Sequence, residues 1–125
     1  MKNILGIIIW CSISLFCVSC FEEKDFGFPK EVTFPKEGGV TSISGNTSFT
    51  HASIQDYKGN HGSIGDGEDG KEYVEYEWLK VEYDNPFSDV LKIYVEPNTT
   101  GKSRKLYIEL YSGPEYHVTK VKQYW

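Results

Sequence analysis

Residues 90–111, VLKIYVEPNTTGKSRKLYIELY, constrain the fold more than any other stretch of this chain. Leu91, Ile93 and Val95 alternate with polar residues, and so do Leu106, Ile108 and Leu110. A period of two is that of a half-buried strand, with its intervening side chains turned to solvent. Pro97 and Gly101 in the connector break pairing and supply turn geometry. The runs Trp78-Leu79-Lys80-Val81 and 118–123 read as further strands around this pair.

The connector admits two geometries. As a hairpin it sets Lys92 opposite Glu109, Tyr94 opposite Tyr107 and Glu96 opposite Lys105, pairs worth ~0.2–1 kcal/mol each on an outer face. As an arch between two sheets it sets the two apolar rows facing each other across a core.

The remainder of the chain supplies strands of lower contrast. Val32 and Phe34 alternate before the Gly38-Gly39 turn, and Ile43, Phe49 and Ile54 are core candidates around an Asn46-Thr47-Ser48 turn. Residues 71–83 alternate in two phases, one through Tyr73, Leu79, Val81 and Tyr83, the other through Val74, Tyr76 and Trp78. A bulge between two short strands would let both Trp78 and Leu79 reach the core. Val118 and Val121 lie three apart and require a bulge or phase switch in the last strand.

Residues 1–19 read as a signal peptide: Lys2, then an apolar segment too short to span a bilayer comfortably. Ser19-Cys20 resembles a bacterial lipobox, from which Phe16 and Cys17 depart; the alternative is a plain secretory signal cut elsewhere. Lipid on Cys20 would anchor the chain in a membrane, with the outer membrane as the expected location. All three cysteines lie in the first 20 residues, so the domain is held by its core and has no thiolate chemistry. Cleavage before Cys20 leaves 106 residues, one domain, with 12 basic against 18 acidic side chains, net −6. That charge argues against a nucleic-acid partner.

Residues 20–30 are expected to form the anchor and an acidic tether, and 31–125 the folded domain. The run Glu22-Glu23-Lys24-Asp25 resembles the acidic export signal of surface lipoproteins of Bacteroidetes; a solvated charge run is the alternative. Residues 55–71 carry five of the twelve glycines without alternation, as a functional or disordered loop does. Asp66, Glu68 and Asp69 are weak calcium candidates, because their spacing is not that of an EF-hand. His51, His61 and His117 lack zinc spacing. No cofactor is expected.

From residue 31 to 123 the pattern resembles the BACON domain, the Bacteroidetes-associated carbohydrate-binding, often N-terminal family. The residues that carry it are Phe34 with Gly38-Gly39, Trp78-Leu79-Lys80-Val81, the strand 91–95, Asn98-Thr99-Thr100-Gly101 with Arg104, and the terminal Gln123. Phe49 in place of a frequent tryptophan, the long 55–71 loop and the Tyr124-Trp125 end depart from it. The resemblance implies an all-β, immunoglobulin-like, seven-stranded sandwich, and it favours the arch. Trp78, Asn98, Gly101, Arg104 and Gln123 then have structural jobs. Arg104 donates to connector carbonyls, Asn98 bonds the backbone two residues on, and Gly101 takes a conformation closed to other residues.

Catalysis is not expected. There is no Ser-His-Asp order, Gly-x-Ser-x-Gly or phosphate loop, and a glycosidase needs two carboxylates fixed in a cleft. Two non-catalytic functions remain, a glycan-binding surface module and a subunit that docks a surface protein. For the first, Tyr94, Tyr107, Tyr111, Tyr116, Tyr124 and Trp125 are the candidate stacking residues, since flat rings pack on the apolar faces of sugars. Tyrosine is also an ordinary exposed strand residue, and an aromatic patch serves protein docking equally.

Overall fold

The computed structural model describes residues 21–66 and 70–125. The signal segment, Cys20, Glu68 and Asp69 lie outside the described residues, as does the side chain of Asp66. Ten strands follow in chain order: β1 (Glu22–Glu23), β2 (Glu31–Phe34), β3 (Gly39–Phe49), β4 (His51–Gln55), β5 (Ser63–Asp66), β6 (Lys71–Tyr76), β7 (Leu79–Asp84), β8 (Ser88–Val95), β9 (Arg104–Ser112) and β10 (Glu115–Gln123). They build two five-stranded sheets and no helix among the described residues. The first sheet runs β1-β10-β9-β4, with β2 also paired to β10, and the second runs β3-β8-β7-β6-β5.

The chain is thus the all-β two-sheet sandwich that its alternation predicts. Its strand count is ten rather than seven, because short strands β1, β2 and β5 add to the sheet edges. The 96–103 connector is an arch: β8 pairs with β3 and β7, whereas β9 pairs with β10 and β4. Leu91, Ile93 and Val95 of one sheet and Leu106, Ile108 and Leu110 of the other are all buried in one core. The apparent charge match of Lys92 with Glu109 places nothing side by side, since burial of two apolar rows outweighs exposed pairs worth tenths of a kcal/mol.

Four local expectations are corrected. Residues 22–30 are part of the folded domain rather than a tether: Phe26 and Phe28 are 1% and 3% exposed. Burying two such rings contributes about 1.5–3 kcal/mol each. They are fastened on both sides. The Phe26 carbonyl accepts from the Asn46 and Thr47 amides of β3 (2.8 and 3.2 Å), and its amide donates to Nδ1 of His117 in β10 (3.2 Å). Thr119 Oγ1 donates to the Pro29 carbonyl at 2.8 Å and lies 3.2 Å from His117 Nε2, which fixes the ring proton on Nε2. Phe28 lies so close to Gly45 that a Cβ there would meet its ring at 2.4 Å.

Second, those amide bonds keep 46–48 inside β3 as a register shift rather than a turn. Third, residues 71–83 are two strands joined through a two-residue loop, Glu77-Trp78, and not a bulged pair. Each phase governs one strand: Val74 faces inward in β6, and Leu79, Val81 and Tyr83 do so in β7. Glu77 takes a φ of 52° to make the turn, a conformation that hairpin loops of this length require. Fourth, β10 pairs regularly from 115 to 123. Its inward side is His117, Thr119, Val121 and Gln123, all buried, so Val118 faces out and no phase switch occurs.

Candidate functional site

Alternation leaves the outer side of the first sheet to the residues between the core positions. Strand register then aligns them in three rows. His51, Tyr111 and Tyr116 are cross-strand partners, Ser53, Glu109 and Val118 form the middle row, and Gln55, Tyr107 and Lys120 the third. Tyr107 and Tyr111 are four residues apart, roughly 13 Å along the strand. His51 lies 4.8 Å from Tyr111 with 7° between the planes, so it covers one side of that ring; Tyr116 approaches the other neighbour position at 6.0 Å and 33°. At the far row Tyr57 tilts against Tyr107 at 4.8 Å.

Glu109 sits between the two aromatic rows. Its carboxylate accepts from Tyr111 OH (2.6 Å) and Ser53 Oγ (3.0 Å) on Oε1, and from Tyr57 OH (2.7 Å) on Oε2. A carboxylate has about four acceptor positions, so one remains beyond these three. Burial first, and then the bond to Glu109 and its charge, push the Tyr111 phenol up to about 12. The same causes in the same order raise Tyr57 further. Both phenols therefore keep their protons and act as donors at neutral pH.

Tyr57 comes from the segment after β4, where it holds a φ of 58°. That conformation is costly for an aromatic residue and persists only where surroundings impose it. Asp56 imposes it here. Its Oδ1 accepts from the amides of Lys58 (2.7 Å) and Asn60 (3.2 Å), and its Oδ2 from Tyr76 OH (3.2 Å). The Lys58 amide is the largest of the influences that hold the Asp56 carboxyl below its ordinary range. The glycine-rich segment is thus ordered at its start, with Asp56 positioning Tyr57.

Of the six expected stacking residues, the structure brings together Tyr107, Tyr111 and Tyr116. Tyr94 is on the outer side of the other sheet, where the ammonium groups of Lys80 and Lys92 lie 5.4 and 5.2 Å from its ring centre. Tyr124 and Trp125 follow the end of β10, half or more exposed, and Trp125 borders a shallow depression with Pro97 and Thr99. There is no single platform of six rings. His51, Tyr57 and Glu109 complete the face. Only the β4–β9 register could have revealed His51, and nothing in the local sequence marks Tyr57.

The signature residues cluster elsewhere, at the arch. Arg104 Nε donates to Gln123 Oε1 (2.7 Å), its Nη2 to the Glu96 and Pro97 carbonyls (3.2 Å each), and its guanidinium lies 4.6 Å from the Trp78 ring centre. Gln123 Nε2 donates to the carbonyls of Glu96 (2.8 Å), Pro35 (3.1 Å) and Lys36 (3.3 Å). Asn98 Oδ1 accepts from the Thr100 amide at 3.0 Å, its Nδ2 donates to the Lys102 carbonyl at 2.7 Å, and Gly101 has a φ of 77°. Together these groups satisfy the carbonyls of a chain that must leave one sheet for the other. His117 is buried between β10 and the Phe26 segment, and among the described residues no cluster of His, Cys, Asp or Glu is arranged to hold a metal.

No family model matches the chain, and no curated protein matches it. Two solved structures are similar. One is an NMR structure of a protein from Bacteroides thetaiotaomicron, at 17% identity and a TM-score of 0.51, covering 78% of this chain and 82% of that one. The other is a Bacteroides ovatus GH5 xyloglucanase in complex with a XXXG heptasaccharide, at 18% identity and a TM-score of 0.45; the match covers 76% of this chain but 17% of that enzyme. The first likeness shows a shared fold, and the second is too distant to add to it.

Proposed function

We propose that this domain is a non-catalytic module that binds carbohydrate weakly through the outer side of its first sheet. The observation that carries the reading is the gathering of Tyr107, Tyr111 and Tyr116, with His51 and Tyr57, around Glu109 on one open face. Aromatic side chains offer a sugar apolar surface and polar edges, and the carboxylate offers an acceptor to its hydroxyls. The resemblance to the BACON family supports the same reading, as does the lipobox-like Ser19-Cys20, since lipid on Cys20 would present the module at the outer membrane. Screening soluble 21–125 against host and plant glycans, with calorimetry on the hits, tests it. Binding that is lost in Tyr107→Ala and Tyr111→Ala supports the reading; no binding at high protein concentration removes it for those glycans.

Protein docking has its own supporting observation. β3 is an eleven-residue edge strand, GVTSISGNTSF, with no charge and no proline, and Val40 on it is 58% exposed. Such an edge can take an added strand from a partner. Cross-linking from positions 40–44 that captures an extended segment of one partner, with glycan binding absent, would favour this second role.

A further inference from the structure

We infer that the aromatic face selects neutral glycans and rejects acidic ones, with Glu109 as the residue that sets this preference. The inference rests on the glycan-binding reading above and narrows it to a substrate class. Glu109 has three partners, all neutral hydroxyls, which stabilise its charge without cancelling it. No ion pair to it occurs among the described residues.

The ammonium groups nearest in the strand grid are engaged elsewhere. Lys120, the partner of Tyr107, lies 3.5 Å from Glu31, and Lys24 lies between Glu22 (3.5 Å) and Glu115 (4.0 Å). Beyond Tyr107 a groove of about 470 Å³ mixes Lys24, Lys30 and Lys120 with Glu23 and Asp25, so it concentrates no positive field. Aromatic ring faces are themselves electronegative. A ligand hydroxyl can donate to the remaining acceptor position of Glu109. A ligand carboxylate or sulfate would instead lose water to face a carboxylate with no counter-charge.

The test uses oligosaccharide pairs that differ only by oxidation at C6, such as galacto- and galacturono-, or manno- and mannurono-oligosaccharides. Each is titrated into soluble 21–125, which contains the whole described core. The neutral member is expected to bind, and its uronate partner about fivefold more weakly at low salt, the scale of one like-charge contact that stays hydrated. Salt should narrow the gap. Glu109→Gln should close most of it. Val118→Lys, which sets an ammonium across the strand pair from Glu109, should close it with Glu109 in place and serves if the first variant misfolds. A uronate that binds as tightly as its neutral partner, or a gap unchanged in both variants, overturns the inference. Failure of both members of every pair instead removes the glycan reading, and the preference falls with it.

Discussion

The outer sides of the two sheets both display tyrosine, and they use it differently. On the second sheet, Glu75, Lys80, Tyr94 and Val40 align across strands, as do Tyr73, Glu82, Lys92 and Ser42. Charges of both signs surround each ring, and Lys80 sits over both Tyr73 (4.8 Å) and Tyr94 (5.4 Å). That is a solvated face whose rings are covered by lysine stems and ammonium groups. On the first sheet the rings contact one another and two of them donate to a single carboxylate. Exposure of a tyrosine alone therefore says little; what its cross-strand neighbours do with its face and its hydroxyl decides whether it can serve a ligand.

The comparison yields graded tests. The largest effect is expected from Tyr107→Ala with Tyr111→Ala: glycan binding falls below detection in calorimetry. The fold persists, at a cost of roughly 1–2 kcal/mol per half-buried ring in a denaturant titration. Retained binding would move the site to the other sheet.

Next comes Asp56→Ala, which releases the turn that positions Tyr57 and should weaken binding several-fold with little change in Tm. Acid gives the same information. The Asp56 carboxyl is lowered in the folded protein, so its contribution is present above its ordinary value of 3.8 and is lost as pH falls through the lower folded value. Binding measured down a pH series should thus survive mild acid and fail only below the ordinary carboxyl value of 3.8.

Alkali probes Tyr111. Its phenol is raised from 10.0 to about 12, so the stabilisation it contributes is complete below pH 10 and disappears as pH rises toward 12. An ultraviolet phenolate titration should show a late-ionising class that moves earlier in Glu109→Gln. The smallest effect belongs to Tyr94→Ala, which should leave affinity within about twofold, since its ring is already covered by two lysines.

Much of the fold was legible in the chain wherever core positions are apolar. Leu91, Ile93, Val95, Leu106, Ile108 and Leu110 alternate plainly and all are buried. The phase of the last strand is hidden in the sequence because three of its four buried positions are His117, Thr119 and Gln123, and polar residues satisfied by hydrogen bonds leave no hydropathy signal. Phe26 and Phe28 are hidden by the charges and the proline around them, and the groups that make room and partners for them, Gly45, Asn46, Thr47 and His117, are distant in sequence. The site was half legible. The outward phase of Tyr107 and Tyr111 follows from alternation, but their company depends on the pairing of β9 with β4 and on the unusual backbone of Tyr57, which are tertiary facts.

The most direct test of the central claim is an amide chemical-shift map of 21–125 titrated with a neutral oligosaccharide from the screen. Perturbations confined to β4, β9, the start of β10 and the segment around Tyr57 are predicted. Perturbations centred on β7 and β8, around Lys80 and Tyr94, would contradict it and make the first sheet's tyrosines a purely structural cluster.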